Sequence, residues 1–188
     1  MTSVARLCAL AAFFWFVLFS PWTAPRVNFW LFMAMATAVL SAAGLWLQRD
    51  RLREIYAFNP SHVLIGLASA LVLYAVFLAG NLVSTQIFQF AKPEIADIYS
   101  TRAQASPLTI GLLLLFWVGP AEEIFWRGFV QERLYAKCGR TGGCIAASLI
   151  YAAVHVFGFN VMLFMASLVC GLFWGGLYLK YRSVWPGL

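Results

Sequence analysis

The sequence predicts an all-α fold, a polytopic bundle of about six transmembrane helices. Apolar residues make up 63% of its 188 residues and charged residues only 11%, whereas a soluble domain carries about 25% charged residues. Hydrophobic runs also recur along the chain, and most approach the roughly 20 residues that a membrane-spanning helix needs. These runs cover residues 7–24, 28–47, 63–84, 108–119, 141–159 and 160–179.

The first run predicts an uncleaved membrane helix rather than a secretory signal. It follows Arg6, as the apolar core of a signal follows a basic residue. Residues 23–25 (TAP) nevertheless form a poor cleavage site, because proline is disfavoured just after the cut.

Two polar connections and one turn interrupt the runs. Residues 49–62 carry three arginines and predict an anchor to lipid headgroups, in which His62 is expected to be solvated. In the segment 85–107, apolar residues at 87, 88, 90 and 91 predict a partly amphipathic interfacial helix, a connector rather than a substrate gate. Turn residues at 141–143 (TGG) predict the break before the fifth helix.

The fourth run is too short to cross a membrane by itself. It spans only if its helix continues through Pro120 into residues 122–129. That continuation places Glu122 and Glu123 within or just below the hydrocarbon region.

Basic residues predict the orientation, because cytoplasmic loops accumulate lysine and arginine. A cytoplasmic N-terminus puts nine of them inside and three outside, with Arg127 set apart. The inner set is Arg6, Arg49, Arg51, Arg53, Arg133, Lys137, Arg140, Lys180 and Arg182, and the outer set is Arg26, Lys92 and Arg102. The net charge of +6 therefore indicates topology and attraction to anionic lipids rather than a nucleic-acid partner.

The polar cluster at 122–127 (EEIFWR) is the main candidate site, since ionised groups at membrane depth are costly unless paired. Residues four apart share a helix face, so Glu123 is expected to pair with Arg127 while Glu122 points about 100° away. Glu122 is then free to face an internal cavity. An unpaired carboxylate in a water-poor site suits a general base or acid near neutral pH.

His155 is the one histidine within a predicted span, and Tyr151 lies four residues before it on the same face. A neighbouring antiparallel helix can present both to Glu122, so that carboxylate and imidazole converge on one water. An equally weighted interpretation makes His155 interhelical glue that bonds Glu122 or a backbone carbonyl. Catalytic zinc needs three protein ligands; Glu122 and His155 have no obvious third, so we expect no cofactor, with zinc as the competing explanation.

Residues 120–131 (PAEEIFWRGFVQ) resemble the E-E-x-x-x-R-G signature of the CPBP family, the CAAX-prenyl-protease and bacteriocin-processing intramembrane proteases. Residues 151–155 (YAAVH) are similar to its F-x-x-x-H signature, with tyrosine for phenylalanine. The glycine-rich stretch 171–186 also resembles the family. The resemblance divides one integrated membrane domain into N-terminal helices and connections at 1–107 and a catalytic core at 108–188.

The resemblance implies a glutamic-type intramembrane endopeptidase, of a kind often called a metalloprotease, with a cavity open to the membrane and cytosol. Glu122 would activate water, His155 would assist, and Glu123 with Arg127 would hold the helix geometry. The family continues into a further helix carrying H-x-x-x-N, and this chain stops at residues 185–188 (WPGL). A truncated sequence, oxyanion donors from elsewhere such as Asn160 or Asn81, and an inactive relative are the three explanations. The simpler interpretation of Asn160 is a turn or helix-cap residue, and that of Asn81 is an interhelical hydrogen bond.

Three functions follow as hypotheses. The first is an endopeptidase of a bacterial inner membrane that acts on a membrane-embedded or lipid-anchored protein, at a sorting signal, leader peptide or CAAX-like tail. The second is an inactive relative that serves as an immunity or partner-binding protein. The third is a small proton-coupled transporter that uses Glu122 and His155 as a relay.

Overall fold

The computed structural model describes residues 2–188, and all regular structure within that range is helical. Five helical elements cross the bundle, and one of them is a long helix folded at Gly139 into two arms, so that six helical segments cross it within the described range. The crossing helices are α1 (Thr2–Phe19), α2 (Phe29–Leu47), α4 (Ser61–Ile87), the long helix Pro107–Gly158 and α9 (Val161–Tyr181). The predicted all-α bundle of about six helices is confirmed.

The long helix is built from regular and irregular stretches. Its regular parts are α6 (Pro107–Leu113), α7 (Gly119–Glu123) and α8 (Glu132–Ala153), joined by π-helical stretches and closed by a 3₁₀ turn at Val154–Gly158. The helix continues through Pro120, as we expected if the fourth hydrophobic run is to cross a membrane. Shorter helices connect the crossing segments, namely α3 (Leu52–Ile55) and α5 (Ala91–Ser100).

The bundle has the length and composition of an integral membrane protein. Four of its helices are long and apolar enough to span a bilayer, and α1 is a shorter apolar helix. On α4, large apolar side chains such as Leu64 and Leu71 are about 70% exposed. Such exposure suits lipid, which solvates apolar side chains but cannot satisfy an open backbone.

Two predicted local features lie at other residues than expected. The predicted break at 141–143 lies instead at Gly139, whose φ of +67° takes it out of the helix. Gly143 stays helical, and a Cβ there would lie 2.9 Å from the Tyr135 backbone nitrogen, so this glycine serves close packing of the two arms. The interfacial helix predicted around 85–91 is α5, further along, because α4 extends to Ile87.

The core lies where α1, α2 and the two arms of the long helix meet. Its largest fully buried side chains are Trp15, Phe125, Trp126 and Phe129. Trp15 meets Trp126 edge-to-face at 6.0 Å between ring centroids. The polar cluster therefore stands on a helix fixed by aromatic packing immediately around it.

Candidate active site

The helix is irregular on both sides of the paired carboxylates. Stretches Leu114–Val118 and Ile124–Gln131 are π-helical and flank α7, which carries Glu122 and Glu123. Pro120 has no N–H to donate within the helix, and the Gly119 N–H donates five residues back to the Leu114 carbonyl. A Cβ on Gly119 would lie 2.7 Å from that oxygen. The Gly-Pro pair therefore fits the π turn, a feature frequent at functional sites.

Glu123 and Arg127 form a buried ion pair. Arg127 Nη1 lies 3.1 Å from Glu123 Oε1, and both side chains are almost fully buried. Arg127 Nη2 also donates to the Cys170 carbonyl at 3.2 Å, and the guanidinium lies 5.0 Å from the centroid of the Tyr151 ring. The pair thus ties the long helix to α9 and leaves Glu122 outside it.

The ion pair continues into a ladder of polar contacts along the same helix face. Gln131, four residues after Arg127, donates to the Gly175 carbonyl at 2.8 Å. Gly175 allows this approach, because a Cβ there would lie 3.2 Å from Gln131 Oε1. Gln131 was not among the predicted site residues, although the steps of four from Glu123 were a signal for it.

A turn formed by residues 185–187 also packs against Glu123. Gly187, in the 3₁₀ turn Trp185–Gly187, packs directly against the Glu123 carboxylate. Trp185 Nε1 donates to the Tyr56 carbonyl at 3.0 Å, and the Tyr56 hydroxyl donates to the Ile124 carbonyl at 3.4 Å. Burial, with a smaller contribution from the charge of Glu132, raises the pKa of Tyr56 above its ordinary value, so the hydroxyl stays a neutral donor.

Glu122 lies at the wall of the main cavity, which has a volume of about 690 Å³. Its Oε1 is buried and has no hydrogen-bond partner in the part of the chain that the structure describes. The cavity wall is mostly apolar, with Phe19, Trp30 and Val118 among its residues. A carboxylate oxygen that is buried, unpartnered and adjacent to open space is free to bind a water or a substrate group.

His155 makes two hydrogen bonds, and neither of them is to Glu122. Its Nε2 accepts from Trp15 Nε1 at 3.0 Å, and its Nδ1 lies 2.8 Å from the Tyr151 carbonyl, which fixes the neutral form with the proton on Nδ1. The lining of the main cavity includes Glu122 and Phe19, and His155 sits behind Phe19 with 5.3 Å between ring centroids. His155 therefore lies one side chain behind the cavity wall, linked to α1 through Trp15.

Tyr151 and Asn160 are likewise engaged in packing and capping. The Tyr151 ring lies between Arg127 and His155 and meets Trp126 edge-to-face. Asn160 lines the cavity, but its Oδ1 caps α9 through the Leu163 N–H at 2.8 Å and its Nδ2 donates to the Glu94 carbonyl at 2.9 Å. Both polar atoms of that amide are thus occupied. Asn81 is exposed on α4.

The donor set does not fit a catalytic metal. Such a zinc site needs three protein ligands, and residues 2–188 contain no group of three His, Cys, Asp or Glu side chains placed to hold an ion. Both nitrogens of His155 already have protein partners. No step is therefore assigned to a metal.

Comparison with known proteins gives one match. Residues 104–188 match the family model described as type II CAAX prenyl endopeptidase, Rce1-like. No curated protein and no solved structure matches the chain. The match confirms the resemblance to the CPBP family, and it covers Glu122, Glu123, Arg127, Tyr151 and His155 while leaving α1, α2 and α4 outside.

Proposed function

We propose, because residues 104–188 match a family model of CAAX-protease type, that the protein is a glutamic-type intramembrane endopeptidase. Its substrate is a membrane-embedded or lipid-anchored peptide segment. The observation that carries the proposal is the buried, unpartnered Oε1 of Glu122 at the wall of an apolar cavity of about 690 Å³.

The proposed chemistry needs one carboxylate without an ion-pair partner, Glu122, and one that is paired, Glu123. Glu122 takes a proton from a water in the cavity, the resulting hydroxide attacks the peptide carbonyl carbon, and Glu122 returns the proton to the leaving amine. Glu123 is held by Arg127 at 3.1 Å and is not available for this exchange. Its role in the proposal is to neutralise Arg127 and fix the orientation of α7.

His155 enters this proposal as a positioning residue. The hydrogen bond from Trp15 joins α1 to the second arm of the long helix, and the bond to the Tyr151 carbonyl within that arm orients the ring. Phe19, which touches His155, forms part of the cavity wall. His155 therefore shapes the site that holds the water without exchanging a proton itself.

The experiment compares wild-type protein with Glu122→Gln in proteoliposomes that also contain the membrane proteins of the cells that make it. New peptide termini are identified by mass spectrometry. We expect termini that appear with wild type and vanish with Glu122→Gln, while Asp50→Asn, an equivalent change at an exposed carboxylate, keeps them. Identical termini with and without wild-type protein would show an inactive relative and contradict the proposal.

A further inference from the structure

The two ends of the bundle differ in charge. At one end, which we call the basic end, Arg51 and Arg182 meet at Glu132 and Arg133 donates to the Leu47 carbonyl. Arg140 donates to the Leu179 carbonyl at the same end. Eight of the nine basic residues assigned to the inner side lie in or beside the helix ends and the Gly139 turn that meet here, and the ninth, Arg6, is in the first turns of α1.

The opposite end is held together by different contacts and has few basic residues. Trp30 Nε1 donates to the Thr101 carbonyl at 2.9 Å, and Gln104 accepts from the Phe29 N–H at 2.6 Å. Glu94 accepts from the Met162 N–H at 2.8 Å. These bonds bring the start of α2, residues 94–104 and the start of α9 together, and Arg26, Lys92 and Arg102 are the three basic residues of this end.

The cavity lies in this opposite half of the bundle. On the long helix its wall is a stripe in steps of four, Ile110, Leu114, Val118 and Glu122. The stripe starts near Pro107 at the opposite end, and Glu122 is 15 residues from it, about 22 Å at 1.5 Å per residue. The rest of the wall comes from the end of α1, the starts of α2 and α9 and residues 97–104, all at that end.

Cytoplasmic loops accumulate lysine and arginine, so the basic end is cytoplasmic and the cavity lies on the other side. This placement conflicts with the expectation, drawn from the family resemblance, of a cavity open to the cytosol. A cytoplasmic N-terminus and a cytosolic cavity are incompatible in this chain, because α1 runs from the basic end to the cavity.

We propose that Glu122 is reached from the extracytoplasmic side of the membrane, and that the substrate is the transmembrane anchor of a protein whose main domain lies on that side. The inference rests on the proposed endopeptidase function and narrows its substrate class. The apolar wall suits a hydrophobic segment, and a carboxylate near the middle of a 32-residue arm (107–138) places the cut near the middle of the anchor. A cytoplasmic lipid-modified tail does not reach this cavity.

The first test measures sidedness with a membrane-impermeant maleimide on intact cells. Native Cys138 is exposed and lies next to Gly139 at the basic end. Ala103→Cys, made in a Cys138→Ser background, places a thiol on the exposed turn at the opposite end. We expect Ala103→Cys to be labelled in intact cells and Cys138 only after permeabilisation. The reverse pattern would overturn the inference.

The second test asks whether the cavity connects Glu122 with that side. Glu122→Cys in the same Cys138→Ser background is treated with a small charged methanethiosulfonate added outside intact cells. We expect modification from outside. Modification only from the cytoplasmic side, or from neither side, would contradict the inference.

The third readout separates this inference from the proposed function. Termini that depend on Glu122 and fall near the middle of the anchors of extracytoplasmic proteins support both. Termini that depend on Glu122 but fall in cytoplasmic tails would overturn the sidedness and leave the endopeptidase standing. If no termini depend on Glu122, the proposed function fails, whatever the labelling shows.

Discussion

At the scale of single residues, the two adjacent carboxylates of the site have different roles. Glu123 is committed to Arg127, and Glu122 retains a buried oxygen without a partner. Because the two side chains point in different directions from one helix, a substitution of one leaves the contacts of the other in place. His155 differs from both, since its ring nitrogens are hydrogen-bonded to Trp15 of α1 and to the Tyr151 carbonyl of its own helix.

Glu123→Gln is expected to lower the free energy of unfolding by about 3–5 kcal/mol, because it leaves the buried Arg127 charge without its partner. Thermal unfolding in detergent would measure this, with Asp50→Asn as the exposed control. A variant as stable as wild type would contradict the structural role given to Glu123.

His155→Gln separates positioning from proton transfer. Glutamine can still accept a hydrogen bond from Trp15, but it cannot titrate as imidazole does. We expect His155→Gln to keep a larger fraction of the cleavage rate than His155→Ala, and Trp15→Phe to lower the rate in the same way as His155→Ala. Equal loss in the glutamine and alanine variants, with Trp15→Phe unaffected, would instead favour direct participation of the imidazole.

The separation of Glu123 from Glu122 was predictable, whereas the surroundings of His155 were not. A four-residue spacing in a helix decides which side chains are neighbours, so the Glu123–Arg127 pair followed from local sequence. The hydrogen bond from Trp15 to His155 joins residues 140 positions apart and leaves no local pattern. For that reason the sequence left the two roles of His155 open.

At the scale of helices, close packing depends on a glycine face. Gly171 on α9 lies against the Ser148 backbone of α8, and Gly175 lies against Cys144, Ser148 and Gln131. Backbone atoms cannot move aside as a flexible side chain can. The π stretches likewise were not predictable from hydrophobic periodicity, although Gly119-Pro120 marks one of them.

Gly171→Ala is expected to destabilise the protein by about 1–3 kcal/mol, because its Cβ would lie 3.1 Å from backbone atoms of Ser148. Gly176→Ala is the matched control on the same helix, since a Cβ there meets nothing within 4 Å. Parallel thermal melts would compare the two. Equal melting temperatures would show that α8 and α9 tolerate a wider spacing.

At the scale of the whole molecule, Glu132 closes the basic end. It accepts hydrogen bonds from Arg51, Arg182 and the Tyr178 hydroxyl at 3.0, 3.1 and 3.0 Å. These contacts join the α2–α4 connection to the end of α9 through one buried carboxylate. Hydropathy predicted the number of crossing helices, but it carried no information about which polar groups would connect their ends.

Glu132→Gln is expected to lower stability by about 1–3 kcal/mol, because two half-exposed guanidiniums lose their shared acceptor charge. Glu54→Gln also removes a partner of Arg51, but Glu54 is exposed, and exposed pairs contribute about 1 kcal/mol or less. Thermal melts at low and high salt would separate the two variants. A larger effect at Glu54 would contradict the role of Glu132.

The proposed endopeptidase requires Glu122 to act as the base in the cavity. The most direct measurement is the single-turnover cleavage rate of a substrate identified from its new termini, compared for wild type and Glu122→Gln at matched melting temperatures. We expect the cleavage rate of Glu122→Gln to be lower by at least about 100-fold, the lower end of what a general base contributes. A Glu122→Gln variant that is folded and cleaves within a few-fold of wild type would contradict the proposed role of Glu122.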